Sequence, residues 1–148
     1  MLDSDQFSYK EGHNSTMALI KRQQNWLKWL DSNAKYVRVL SFDFSKEFDN
    51  VPHDILFEKI KKLSINPYVV NWINSFLEDR KQRVVVDGIV TEYLNMNRGE
   101  PQETVLGLVS FSIMVNDFKS GDPMNILVKF ADDMTLGIPG KEDGDILW

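Results

Sequence analysis

Two adjacent acids, Asp132 and Asp133, interrupt the apolar stretch VKFADDMTLGI (128–138). Neighbouring carboxylates repel, and taking an ionised carboxylate out of water is costly unless a cation compensates it. The pair therefore reads either as a solvated turn or as part of a metal cradle. A third acid, Asp43, lies near the end of another strand-like run, YVRVLSFDF (36–44). If that run pairs beside the hairpin, Asp43 faces Asp132 and Asp133 across the sheet. Carboxylate oxygens suit hard Mg²⁺, which takes one or two of them together with substrate phosphates. Two such ions about 3.5–4 Å apart clamp the attacking and leaving oxygens of an in-line phosphoryl transfer.

Other chemistries find less support. The chain has no cysteine, which excludes disulfides, thiolate zinc sites and cysteine nucleophiles. His13 and His53 have no His-x-x-His spacing, and DFKSGD (117–122) carries Lys119 where a calcium loop needs a ligand. The net charge of −5 argues against a simple nucleic-acid-binding module, which is usually basic. No run approaches the ~18 apolar residues of a membrane span, and the polar start MLDSDQFSYKEG is not a signal peptide. An intracellular protein without a membrane anchor is expected.

The elements that must hold the three acids follow from periodicity. STMALIKRQQNWLKWLD (15–31) predicts a helix capped by Asn14 or Ser15, with Met17, Ile20, Leu27 and Leu30 on one stripe. YVRVLSFDF predicts a buried strand. VPHDILFEKIKKL sets Leu56, Ile60 and Leu63 inward, with Lys59, Lys61 and Lys62 outward. Asn66-Pro67 opens a further helix, and Asp87-Gly88 marks a tight hairpin. A polar loop (95–104) leads into the helix TVLGLVSFSIMVND, and the Asp132-Asp133 hairpin comes last. Mixed elements without regular alternation predict an α+β fold with an antiparallel sheet packed on helices. The chain stops fifteen residues after Asp133, which reads as a fragment.

SFDFSKEFDNVPHDIL, RKQRVVVDG, RGEPQETVLG and KFADDMTL, in this order, resemble the reverse transcriptase domain of non-LTR (LINE-type) retrotransposons. QFSYKEGHNST resembles the stretch just ahead of the palm in that family. The likeness covers nearly the whole chain and implies a single partial domain over 1–148. Residues 1–35 would be the fingers-side helix region. Residues 36–148 would be the palm of a right-hand polymerase, with motifs at 41–54, 98–107 and 129–136 and no thumb. It implies that Asp43 and Asp132 hold two Mg²⁺ ions (Mn²⁺ as an alternative), with Asp133 close by and the Phe44 carbonyl as a further ligand. Phe48 would exclude a 2′-hydroxyl, or else is a plain core aromatic. Gly99, Pro101 and Gln102 would line the nascent base pair and template, and Ser45 and Lys46 would lie near the triphosphate. The implied partners are an RNA or DNA template, a primer and deoxynucleotides.

The chain also departs from the family pattern. Glu47 stands where the family has Ala, Glu100 where it has Val, Glu103 where it has Gly, and Leu108 where it has Pro. A carboxylate a few ångströms from a triphosphate costs about 1–4 kcal/mol per charge pair. The alternative expectation is therefore a catalytically inactive retroelement remnant, acting at most as a nucleic-acid or protein-binding module.

Overall fold

The structure, a computed structural model, describes residues 3–101 and 104–140. Its elements run α1 (Ser15–Asp31), β1 (Tyr36–Phe42), α2 (His53–Lys61), α3 (Pro67–Leu77), β2 (Lys81–Gln82), β3 (Val85–Val86), β4 (Ile89–Val90), β5 (Leu94–Asn95), α4 (Val105–Met114), β6 (Ile126–Phe130) and β7 (Asp133–Gly140). The mixed α+β class with antiparallel pairing is as expected. The chain divides into two compact units. One is Lys46–Met114, and the other joins the described parts of Leu2–Ser45 and Val115–Trp148.

The second unit contains an antiparallel sheet in the order β1-β7-β6. The segment before α1 runs along the free edge of β6, where Gln6 bridges Lys129 in parallel. The Phe7 N–H donates to the Lys129 carbonyl, and the Lys129 N–H donates to the Asp5 carbonyl. Helix α1 starts where expected, because the Asn14 side chain accepts from the Met17 N–H. It packs on one sheet face through Ala18, against a small core of Phe7 and Val128.

Two expectations fail here. The stripe of Met17, Ile20, Leu27 and Leu30 is exposed, and α1 turns Ala18, Arg22, Trp26 and Trp29 toward the sheet instead. The reason lies in β7. Gly137 lets the indoles of Trp26 and Trp29 come close, and a Cβ there would sit 2.7 Å from Trp26 Nε1. Arg22 donates to the Thr135 hydroxyl at 2.8 Å. Strand β1 is likewise not buried, because it lies at the sheet edge with partly open faces. An apolar, β-branched run gave no sign of edge or centre.

The first unit is built mainly from α2, α3 and α4. Leu56 and Ile60 of α2 and Leu77 of α3 are fully buried, together with Phe111 and Ile113 of α4. At about 25 cal/mol per Å² of apolar surface, each such side chain contributes about 1.5–3 kcal/mol. Leu63 is half-buried. Lys59 is a correction: it is half-buried and its Nζ donates to the Met114 carbonyl at the end of α4, a favourable place for a cation. Asn66 caps α3 through the Tyr68 N–H, with Pro67 in the first turn. The Asp87-Gly88 hairpin forms as predicted, and both residues have positive φ (50° and 81°), the pattern of a type I′ turn. The acidic end GKEDGDILW, apart from Gly140, lies outside the described residues.

Candidate active site

The three acids come to one end of one sheet. Phe42 pairs with Met134, and Phe130 pairs with Asp133. Carried one residue further, the β1–β7 register sets Asp43 across from Asp133. Asp132 is the second central residue of the two-residue turn joining β6 to β7. Ala131, the first, has φ 54°, the pattern of a type II′ turn built without glycine. Asp43 and Asp133 are exposed and Asp132 is half-buried.

Strand alternation separates the twin acids. Thr135 and Gly137 face α1, so Asp133 shares that face. It lines a groove with Arg22, Ser41, Phe130 and Thr135, whereas Asp132 sits on the turn itself. The donor chemistry fits a hard divalent cation: three carboxylates, with Phe44 following Asp43. Among the described residues, however, no three His, Cys, Asp or Glu side chains converge closely enough to hold an ion. The register supplies neighbouring rungs rather than a closed cradle.

Phe48 and the Gly99 loop belong to the other unit, and there they meet. Gly99 donates its N–H to the Val51 carbonyl at 2.8 Å, and Glu100 donates its own to the Phe48 carbonyl at 2.7 Å. A Cβ on Gly99 would lie 2.9 Å from the Asp49 carbonyl oxygen, and the residue has φ 86°, so glycine is required. His53 steadies this loop: its Nε2 lies 2.8 Å from the Gly99 carbonyl, which also accepts from Arg80 at 3.2 Å. Arg80 is thus tied to the loop. The Phe48 ring is half-buried and tilted against Phe111 at 5.8 Å. Pro101 accepts from Thr104, whose hydroxyl in turn accepts the Gly107 N–H and opens α4. Ser45 and Lys46 lie on an exposed turn, Lys46 with φ 53°. Gln102 and Glu103 lie outside the described residues.

Glu100 does not point to solvent. It is 4% exposed, and among the described residues neither carboxylate oxygen has a hydrogen-bond partner. Burial pushes it up to about 7, against weaker downward pulls from the Ser110 hydroxyl and the Arg80 guanidinium. Glu47 is half-buried.

The family described as reverse transcriptase (RNA-dependent DNA polymerase) matches residues 1–148. The chain belongs to the reverse transcriptase family. Among similar proteins, it is 31% identical over 143 residues to "Probable RNA-directed DNA polymerase from transposon BS" of Drosophila melanogaster, covering 92% of this chain and 16% of that protein. It is 29% identical over 138 residues to "RNA-directed DNA polymerase from mobile element jockey" of the same fly, covering 88% and 15%. It is 29% identical over 143 residues to "Retrovirus-related Pol polyprotein from type-1 retrotransposable element R2" of Popillia japonica, covering 88% and 23%. This reverse transcriptase chain thus spans less than a quarter of the length of each of these relatives.

Sequence reasoning missed three positions in this reverse transcriptase chain. Lys129 is fully buried, with Nζ 2.8 Å from both an Asp3 carboxylate oxygen and the Val115 carbonyl. A lone lysine inside an apolar strand was a usable signal for it. Ser8, also buried, reaches the Asp132-Asp133 turn from more than 120 positions away, and buried Gln6 bonds its hydroxyl; nothing in their local pattern marks them. Among the described residues, no helix is long and apolar enough to cross a membrane.

Proposed function

We propose that this chain is the nucleotidyl-transfer core, a palm with part of the fingers, of a retrotransposon RNA-directed DNA polymerase, extending a primer 3′-OH with deoxynucleotides on an RNA or DNA template. The observation that carries this reading is the β1–β7 register, which brings Asp43 to the same sheet end as Asp132 and Asp133. Asp43, Asp132 and the Phe44 carbonyl would hold Mg²⁺ or Mn²⁺, with Asp133 alongside. When bound, such ions neutralise charge on the reacting phosphate and favour the attacking oxygen.

The chain's own residues do the positioning. Phe48, steadied by Phe111 and by its carbonyl's bond to Glu100, offers a rigid ring to the sugar of an incoming nucleotide. The Gly99–Pro101 backbone is fixed by Val51, His53 and Arg80, and with Gln102 it would touch the nascent pair. Ser45 and Lys46, on an accessible turn, would meet the triphosphate. The intracellular setting follows from these substrates.

The direct experiment is primer extension by the 148-residue chain with Mg²⁺ or Mn²⁺, beside Asp43→Asn and Asp132→Asn. Extension that survives either substitution defeats the assignment. A second reading, a folded remnant that binds nucleic acid or protein without extending a primer, is favoured by one observation: no three acids converge among the described residues. No extension, together with salt-dependent primer–template binding, would select it.

A further inference from the structure

The Asp132-Asp133 turn is gripped from a distant part of the chain. The Ala131 N–H donates to the Ser8 hydroxyl oxygen at 2.7 Å. That hydroxyl in turn donates to Gln6 Oε1 at 2.9 Å. The same Oε1 accepts from the Phe7 and Ser8 N–H groups at 3.1 and 3.2 Å, so the Gln6 amide is fixed in orientation. Gln6 is 1% exposed and Ser8 4% exposed, so water does not compete freely for these bonds. The segment bearing them is docked along β6 by main-chain bonds to Lys129 and by the buried Asp3–Lys129 pair. Ala131 needs such support: its φ of 54° is a conformation that glycine adopts freely and alanine does not.

We propose that Ser8, oriented by Gln6, is a positioning residue for the Asp132-Asp133 turn, holding Ala131 in its left-handed conformation and so fixing where the Asp132 carboxylate stands. Ser8 touches no reacting atom and acts only through the Ala131 amide. The functional consequence rests on the reading of Asp132 as a metal ligand, whereas the clamp itself does not. Partners that orient a metal ligand typically carry about 10–100-fold in metal affinity.

Two readouts on the full chain separate clamp from metal site. The first is hydrogen exchange of the Ala131 amide by NMR. Ser8→Ala should speed it at least tenfold relative to other β6–β7 amides, and Ser8→Thr, which keeps the hydroxyl, should restore it. The second is Mn²⁺ titration followed by electron paramagnetic resonance. Ser8→Ala should weaken binding about tenfold, Ser8→Thr should recover it, and Asp132→Asn should abolish it. Should Ser8→Ala fail to fold, Gln6→Met, which removes the acceptor orienting the hydroxyl together with its bonds from the Phe7 and Ser8 N–H groups, is read the same way. Unchanged Ala131 exchange in Ser8→Ala overturns the clamp. Faster exchange with unchanged Mn²⁺ binding overturns its functional consequence. Absence of Mn²⁺ binding by the unaltered chain defeats the metal reading, and the exchange result still decides the clamp.

Discussion

Glu100 donates its main-chain N–H to the Phe48 carbonyl at 2.7 Å, while its own carboxylate is buried with neither oxygen bonded among the described residues. The backbone contact fixes the Gly99 loop against Phe48, and the side chain beside it opposes folding once it is charged.

The pH dependence of stability follows. The Glu100 carboxyl titrates near 7 in the folded chain, against 4.5 for the ordinary group. The folded state therefore binds the proton more tightly. Its stabilisation is complete below about 4.5 and is lost as pH rises through 7, a difference of about 3 kcal/mol. Urea unfolding at pH 5 and pH 8 should register this loss. Glu100→Gln should flatten it, and Glu100→Val, the family residue, should stabilise the chain at pH 8.

Asp3 behaves in the opposite sense. Burial pushes its carboxyl up, but the Lys129 hydrogen bond and charge, the Asp5 N–H and Lys119 outweigh this and hold it below the usual range. Its contribution is present above the ordinary carboxylate value and disappears as pH falls through the lowered one. Lys129→Met, leaving buried Asp3 with the exposed Lys119 as its remaining cationic partner, should cost roughly 3–5 kcal/mol. The double variant Asp3→Leu/Lys129→Met should recover much of it, and thermal unfolding of the three variants tests the coupling.

Gly99 and Gly88 both have positive φ, 86° and 81°, yet their surroundings differ. Gly88→Ala meets open space and should cost about 1 kcal/mol, from backbone strain alone. Gly99→Ala also drives a Cβ to 2.9 Å from the Asp49 carbonyl oxygen and should cost more than twice as much. Equal costs in chemical denaturation would contradict the close packing of the loop.

Sequence patterns were most legible where local chemistry decides the outcome. Asn14, Asn66-Pro67 and Asp87-Gly88 set caps and turns within a few residues, and each forms as expected. The α1 stripe was misread because periodicity gives a face but not which face is covered. Gly137 and Thr135, more than a hundred positions away, turn Arg22, Trp26 and Trp29 inward. The adjacency of Asp43 and Asp133 was anticipated from strand type together with family likeness. The orientation of Asp133 into the Arg22 groove was not, because it depends on parity along β7. Glu100 was expected to crowd a nucleotide. Its burial instead makes it a burden on stability, which only packing against α4 could reveal.

Divalent-ion binding at the shared sheet end is tested most directly by the melting temperature of the chain as Mg²⁺ or Mn²⁺ is titrated, beside Asp43→Asn and Asp132→Asn. A ligand that binds only the folded state at a hundred times its dissociation constant stabilises by about 2.7 kcal/mol. The expected result is a saturable rise in melting temperature for the unaltered chain that vanishes in both variants. An equal rise in all three proteins, or none in any, would contradict the metal-binding role of these carboxylates.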